Sequence, residues 1–226
     1  MANREALTRI RWILERMHHE GSRLKAPVLM AEEFTADDPF KILLFTMLSA
    51  RTKDETTIRI LPSLLSKART PEEICDLGAA RLEGILFGIG FYRVKSRHLI
   101  AMCKALAGKS VPDDLDGLLE LPGVGRKTAN IVLARAFGHP TIGVDVHVHR
   151  VSNRLGIVKT KKPKDTEAAL LKSIPPKLRR NLNRDFVAFG QTVCRPRNPR
   201  CRKCPLNRLC WRKNVSEKCE NCKHGK

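Results

Sequence analysis

An otherwise helical pattern is broken sharply between residues 114 and 137 by Leu121-Pro122-Gly123-Val124-Gly125. No other feature constrains the fold as much. Proline cannot continue the preceding helix, and glycine permits a tight turn and the close approach of another chain. The flanking segments, 114–120 and 126–137, are therefore expected to be two helices joined by a short hairpin. The second helix opens at a point where free backbone amides face outward, which suits a phosphate or another anion. Arg126 and Lys127 add positive charge there. A plain helix connection would use the same punctuation, but the basic pair favours phosphate contact by Gly123, Val124, Gly125 and Arg126.

The rest of the chain points to an all-α protein. Alternating β-branched runs are few, and no βαβ spacing repeats. Residues 4–18 have the pattern of an opening amphipathic helix. Asp37-Asp38-Pro39 starts another, with Asp as cap and Pro in the first turn. In that helix Phe40, Leu43, Leu44, Met47 and Leu48 are expected to form one buried stripe. Thr70-Pro71-Glu72-Glu73 opens a further helix by the same logic. Gly88-Ile89-Gly90 marks a second break, before a helix at 92–107.

Charge narrows the partner. The 226-residue chain carries 43 Lys and Arg against 23 Asp and Glu, a net +20. A field of that size favours a polyanion through phosphate contacts and counterion release, so nucleic acid is the expected partner. No run approaches the roughly 18 apolar residues of a membrane span, so no membrane partner is expected. Met1 to Arg11 lacks the apolar core of a secretory leader, and an intracellular location is expected.

Eight cysteines in such a chain do not read as a disulfide framework. Cys75 and Cys103 stand alone in helical stretches and read as core residues. Cys194-x6-Cys201-x2-Cys204-x5-Cys210 is different, because four thiolates within 17 residues can surround one metal centre. Four-cysteine ligation suits a [4Fe–4S] cluster, and zinc also accepts four thiolates. Zinc sites more often pair two Cys-x-x-Cys units, and only one lies within this set. The same loop carries Arg195, Arg197, Arg200, Arg202 and Lys203, placed to face DNA phosphates. Cys219-x-x-Cys222 is a further pair in a polar, basic tail.

The run LPGVGRKTANIVLARAFGHPTIGVDVHVHRVSNRLGIV, together with the cysteine spacing, closely resembles the endonuclease III family. The resemblance extends from about residue 25 to residue 212. It implies a two-lobed helix-hairpin-helix glycosylase fold. One lobe would be a six-helix unit over 28–139. The other would combine 1–27 with 140–213 and carry the cluster, leaving 214–226 as a flexible tail. It also implies a monomeric enzyme acting on double-stranded DNA that contains a damaged base or an abasic site. Such an enzyme excises damaged pyrimidines through a lysine Schiff base and then nicks the strand by β-elimination. The cysteine spacing matches the family's [4Fe–4S] motif position for position.

By that resemblance Lys127 is the nucleophile and Asp145 the essential carboxylate. The residue types suit the chemistry. A neutral lysine amine can attack an anomeric carbon and displace a base, and a carboxylate stabilises cationic sugar character. Asp145 also precedes a helical stretch, 146–155, which it could cap. Reaching a base inside a duplex requires flipping it out, and the family fills the hole from two loops. Here those positions hold Arg51 and Phe91, where bacterial members usually have glutamine and leucine. Ser49, Asp54 and His147 match positions near the family's lesion pocket. A monofunctional mismatch glycosylase is the alternative within the fold, but its relatives generally lack a lysine at position 127. A non-catalytic DNA-binding module is the alternative outside it.

Overall fold

The computed structural model describes residues 2–211, with side chains from Leu7 onward. The expected tail at 214–226, with Cys219 and Cys222, lies outside the described residues. Twelve α-helices and short 3₁₀ turns make up the described structure, with no strand among the described residues. No helix among them is long and apolar enough to cross a membrane. The chain divides into two compact units. One runs from Met30 to His139; the other joins Met1–Leu29 to the chain from Pro140 onward.

The discontinuous unit begins with α1 (Ala2–Arg23) and most of the single turn α2 (Pro27–Met30), whose last residue opens the continuous unit. The continuous unit contains α3 (Glu32–Thr35), α4 (Pro39–Ser49), α5 (Asp54–Leu65), α6 (Pro71–Ile85), α7 (Tyr92–Leu106), α8 (Leu115–Glu120) and α9 (Arg126–Ala136). Asp38 caps α4, its carboxylate accepting from the Phe40 and Lys41 amides at 2.9 and 3.0 Å. Pro39 fills the first turn, where its missing N–H costs nothing. Burial on α4 runs round the helix rather than along the expected single stripe, because Ile42 and Thr46 are buried too. The helix is enclosed by its neighbours, and its packing partners include α9 and α5. Thr46 escapes an unpaired hydroxyl by donating to the Ile42 carbonyl at 2.8 Å. Thr70 and Glu73 form a reciprocal capping box at the start of α6. Gly78, at φ 70°, breaks that helix in the middle. Leu43, Leu61, Leu82, Leu99 and Met102 are fully buried in the shared core.

The discontinuous unit adds α10 (Val146–Arg154), α11 (Pro163–Ser173) and α12 (Leu182–Thr192), followed by 3₁₀ turns at Cys201–Lys203 and Asn207–Leu209. α1 extends past the expected 4–18 and packs along α12. Gly21 permits that approach: a Cβ at this position would lie 2.7 Å from the Ala188 Cβ. Met17, Val148, Val151, Phe186 and Leu206 fill the core between these helices. Asp185 is buried beside His18 and Arg184, at 3.1 and 3.0 Å. Burial raises its carboxyl above the usual range, and the Arg184 guanidinium opposes that rise.

Candidate functional site

In the continuous unit, Leu121 and Val124 are buried and anchor the α8–α9 hairpin, while Gly123 and Gly125 are exposed at its tip. Gly123 has φ +82° and leaves no room for a side chain, since a Cβ would meet the His98 Cβ at 2.8 Å. Gly125 is the N-cap of α9 and contributes no side-chain cap. The first amides of α9 therefore face an exposed, glycine-lined turn, which is the geometry of an anion site. Arg126 and Lys127 are the first two residues of that helix; Lys127 is half-buried and Arg126 exposed.

A second constellation in the same unit joins the loops after α4 and before α7. Arg51 and Phe91 both sit in the left-handed region, at φ 54° and 59°. Such backbone costs about 1–2 kcal/mol for a residue with a Cβ and persists only where its surroundings hold it. The two side chains meet, with the Arg51 guanidinium 5.7 Å from the Phe91 ring centroid. What holds them is Lys95, one turn into α7. Its ammonium donates to the Leu48 and Ala50 carbonyls, each at 2.6 Å, and to Thr52 Oγ1 at 2.8 Å. Thr52 Oγ1 in turn accepts from the Gly90 amide at 3.1 Å. Burial draws the Lys95 ammonium down to about 8. Three acceptors fit an ammonium and not a neutral amine, which has only two N–H bonds to give. Gly90 completes the joint, because a Cβ there would lie 2.7 Å from the Arg51 carbonyl oxygen. Phe91, Lys95 and His98 fall at i, i+4 and i+7, one face of a helix. That face of α7 thus supports the Phe91 tip, the Arg51 loop and the hairpin.

Ser49, at the end of α4, has a buried hydroxyl with no hydrogen-bond partner among the described residues. Leaving such a group unpaired costs about 1–3 kcal/mol. Asp54 is the first residue of α5 and half-buried.

In the discontinuous unit, Asp145 is the N-cap of α10. Its Oδ1 accepts from the His147 and Val148 amides at 2.9 and 2.8 Å. Both donors use one oxygen, so the cap itself does not consume Oδ2. His147 Nδ1 lies 3.1 Å from Arg150 Nη2. A guanidinium only donates, so Nδ1 accepts and the neutral ring carries its proton on Nε2. Arg150 also donates to the Gly190 and Cys194 carbonyls, at 3.0 and 3.1 Å. Burial lowers its pKa from the usual arginine range, and the Cys194 sulfur opposes that effect.

One turn further along α10, Arg154 donates to the Arg195 and Pro196 carbonyls at 2.7 and 3.1 Å, and to Cys194 Sγ at 3.6 Å. None of Cys194, Cys201, Cys204 and Cys210 is in a disulfide, and all four line one cavity with Leu155, Phe189 and Val193. Burial pushes the Cys204 thiol up to about 12. Among the described residues no three His, Cys, Asp or Glu side chains converge as a single-ion site. The donor set itself, four thiols on the wall of one largely apolar cavity with a guanidinium beside Cys194, has the number and chemistry a four-thiolate cluster requires. Arg197, Arg200, Arg202 and Lys203 are exposed around it.

Lys127, Ser49, Arg51, Asp54 and Phe91 lie in the continuous unit, and Asp145, His147 and the four cysteines in the other. Sequence reasoning missed Lys95, Arg150 and Arg154. A lysine or arginine within a helical pattern carries no local sign that it is buried against loop carbonyls.

Comparison with known proteins follows the same geometry. Residues 44–176 match the HhH-GPD superfamily of base excision DNA repair proteins. Endonuclease III of Thermotoga maritima is 45% identical over 176 residues, 76% of this chain and 83% of that one. Endonuclease III of Escherichia coli K12 is 36% identical over 181 residues, covering 79% and 86%. A solved structure of a trapped endonuclease III–DNA covalent intermediate, an estranged-adenine complex, superposes with a TM-score of 0.74 at 34% identity. That match covers 90% of this chain and 94% of the other. A thermostable thymine-DNA glycosylase gives a TM-score of 0.76 at 22% identity, a likeness of fold.

Proposed function

Because this chain belongs to the endonuclease III family of helix-hairpin-helix base excision repair proteins, we propose that it is a bifunctional DNA glycosylase and abasic-site lyase whose nucleophile is Lys127. The observation that carries the assignment is the place of Lys127, second in α9, just beyond a glycine turn whose helix amides no side chain caps. A phosphate bound at that turn would hold the backbone of the DNA beside the lysine. The substrate class is duplex DNA with a damaged pyrimidine or an abasic site.

The chemistry runs in two stages. The neutral Lys127 amine attacks the anomeric carbon, the bond to the base breaks, and the base leaves with that electron pair and takes up a proton. Ring opening then gives an imine between Lys127 and the sugar. The imine acidifies the neighbouring carbon, which loses a proton as the 3′ carbon–oxygen bond breaks and the strand is nicked. Asp145 stabilises cationic sugar character in the first stage through the oxygen its cap does not use. Arg51 and Phe91 fill the space left by the flipped nucleotide. The unpartnered Ser49 hydroxyl supports its place in the lesion pocket, where a polar group of the base would satisfy it. Asp54, at the start of α5 in the same unit, joins it there, and His147 is proposed to contact the damaged base from the discontinuous unit.

Cys194, Cys201, Cys204 and Cys210 would hold a [4Fe–4S] cluster. Bound there, it supplies a covalent cross-link for a segment that has little regular structure of its own. The basic side chains around it then face phosphates.

Two substrates test the assignment: a duplex with one oxidised pyrimidine and a duplex with a preformed abasic site. Lys127→Ala is expected to lose both base release and nicking. Asp145→Asn is expected to lose roughly 10²–10⁴-fold in base release while retaining more of its nicking of the abasic duplex. Nicking of that duplex by Lys127→Ala at the wild-type rate would overturn the role given to Lys127.

A further inference from the structure

Resting on that reading, we propose that Phe87 forms a second base-stacking site beside Phe91, taking a nucleobase that flipping leaves without a stacking neighbour. The chain has few aromatic residues, with 8 Phe, 2 Trp and 1 Tyr in 226 residues. Two of those phenylalanines stand on the surface within one five-residue stretch, Phe87 at 71% exposure and Phe91 at 60%. Leaving a phenylalanine in water forgoes about 1.5–3 kcal/mol of burial. Paired exposure of this kind marks a surface that meets a partner.

Phe87 is held rather than loose. Its amide bonds the Gly84 carbonyl at 3.4 Å. Its ring makes a T-shaped contact with Tyr92, with centroids 5.6 Å apart and planes at 75°. Tyr92 packs on the core, and the Arg93 guanidinium lies 5.2 Å from its ring centroid. That contact orients the ring, and at 71% exposure most of Phe87 stays open for stacking. Gly88, at φ +98°, lets the chain turn away immediately after Phe87.

Charge selects the occupant. Arg51 lies over the Phe91 ring, an Arg59 nitrogen is 3.8 Å from where a Cβ would stand at Gly88, and Arg93 follows Tyr92. All three arginines are exposed. An apolar patch bordered by guanidinium groups on a chain of net +20 suits bases carried on a phosphate backbone. It does not suit a second copy of the same basic surface. The signal in the sequence is the first phenylalanine of Phe87-Gly88-Ile89-Gly90-Phe91.

The test uses the full chain and two duplexes of one sequence. One carries a tetrahydrofuran abasic analogue with 2-aminopurine, a fluorescent base, opposite it; the other is fully paired. Phe87→Ala is expected to bind the abasic duplex roughly tenfold more weakly, a loss within the ~1–3 kcal/mol of one base–aromatic stack, with a smaller change on the paired duplex. The 2-aminopurine signal on binding should shrink in parallel. Phe87→Trp should restore both and Phe87→Leu only part. Equal weakening on the two duplexes, wild-type affinity in Phe87→Ala, or full rescue by Phe87→Leu would each overturn the stacking role. So would a change of oligomeric state on sedimentation without a change in DNA affinity. Wild-type nicking of an ordinary abasic duplex is run alongside. If nicking fails, the enzyme reading is wrong; if nicking succeeds and Phe87→Ala binds normally, only this inference is wrong.

Discussion

Two irregular segments of this molecule are fixed by the same device, used differently. After α4, the loop carrying Arg51 is held by Lys95, whose ammonium reaches the Leu48 and Ala50 carbonyls and the Thr52 hydroxyl. After α12, the cysteine segment is held by Arg150 and Arg154, which reach the carbonyls of Gly190, Cys194, Arg195 and Pro196. In each case a cation from a neighbouring helix satisfies backbone oxygens that no helix or sheet can satisfy. The loop at Arg51 is short and is completed by protein alone, through Thr52 and Gly90. The cysteine segment is longer, contains only two 3₁₀ turns, and lines its cavity with thiols. A buried cation thus suffices for the short loop. A longer one needs a second cross-link, and four cysteines would provide it through the cluster.

The largest expected effect breaks that second cross-link. Cys204→Ala should prevent cluster assembly, seen as loss of the visible iron–sulfur absorption and of bound iron. It should also unfold the cysteine segment, seen as fast amide exchange over 194–211. Metal-coupled folding makes this loss larger than that of any hydrogen bond. If the iron is lost while exchange protection stays, the cluster is not what holds the segment.

Next in size is the contrast between the two cations. Lys95→Met removes three donors from buried or half-buried acceptors at once and is expected to cost about 2–3 kcal/mol in urea unfolding. It should also lower excision of a base from an intact duplex more than cleavage of a preformed abasic site, because the Arg51–Phe91 pair loses its support. Arg154→Met is expected to cost about 1–2 kcal/mol with the cluster bound, since the cysteines share the load, and more once iron is removed. A larger loss for Arg154→Met than for Lys95→Met in the iron-loaded protein would reverse the comparison.

The smallest effect refines the first staple. Thr52→Val keeps the shape but removes the hydroxyl that accepts from both Gly90 and Lys95, and should cost about 1 kcal/mol. Little or no loss on thermal unfolding would mean that the two carbonyls alone anchor Lys95.

What was legible in the sequence follows from how local each cause is. Gly123 and Gly125 mark the hairpin because a positive φ and a bare helix N-terminus are properties of a few adjacent residues. Asp145 reads as a cap for the same reason, and it caps α10. The cysteine spacing is equally local, and the four thiols do share a cavity. Lys95 was not legible, because its burial depends on carbonyls some 45 residues away. Arg150 and Arg154, about 40 residues from the oxygens they bind, escaped notice for the same reason. The single stripe expected on α4 failed differently. Periodicity finds the more apolar face of a helix, but only the packing shows that Ile42 and Thr46 on the other side are covered as well. Phe87 escaped because a phenylalanine is ordinarily assigned to the core, and only the fold shows it on the surface.

The proposed bond between Lys127 and DNA is what the whole mechanism rests on. It is tested most directly by borohydride trapping on an abasic duplex, followed by proteolysis and mass mapping of the peptide that carries the sugar. One modified peptide is expected, with the reduced sugar on Lys127, and no adduct from Lys127→Ala. A trapped sugar on any other amine, or an adduct of equal yield from Lys127→Ala, would contradict it.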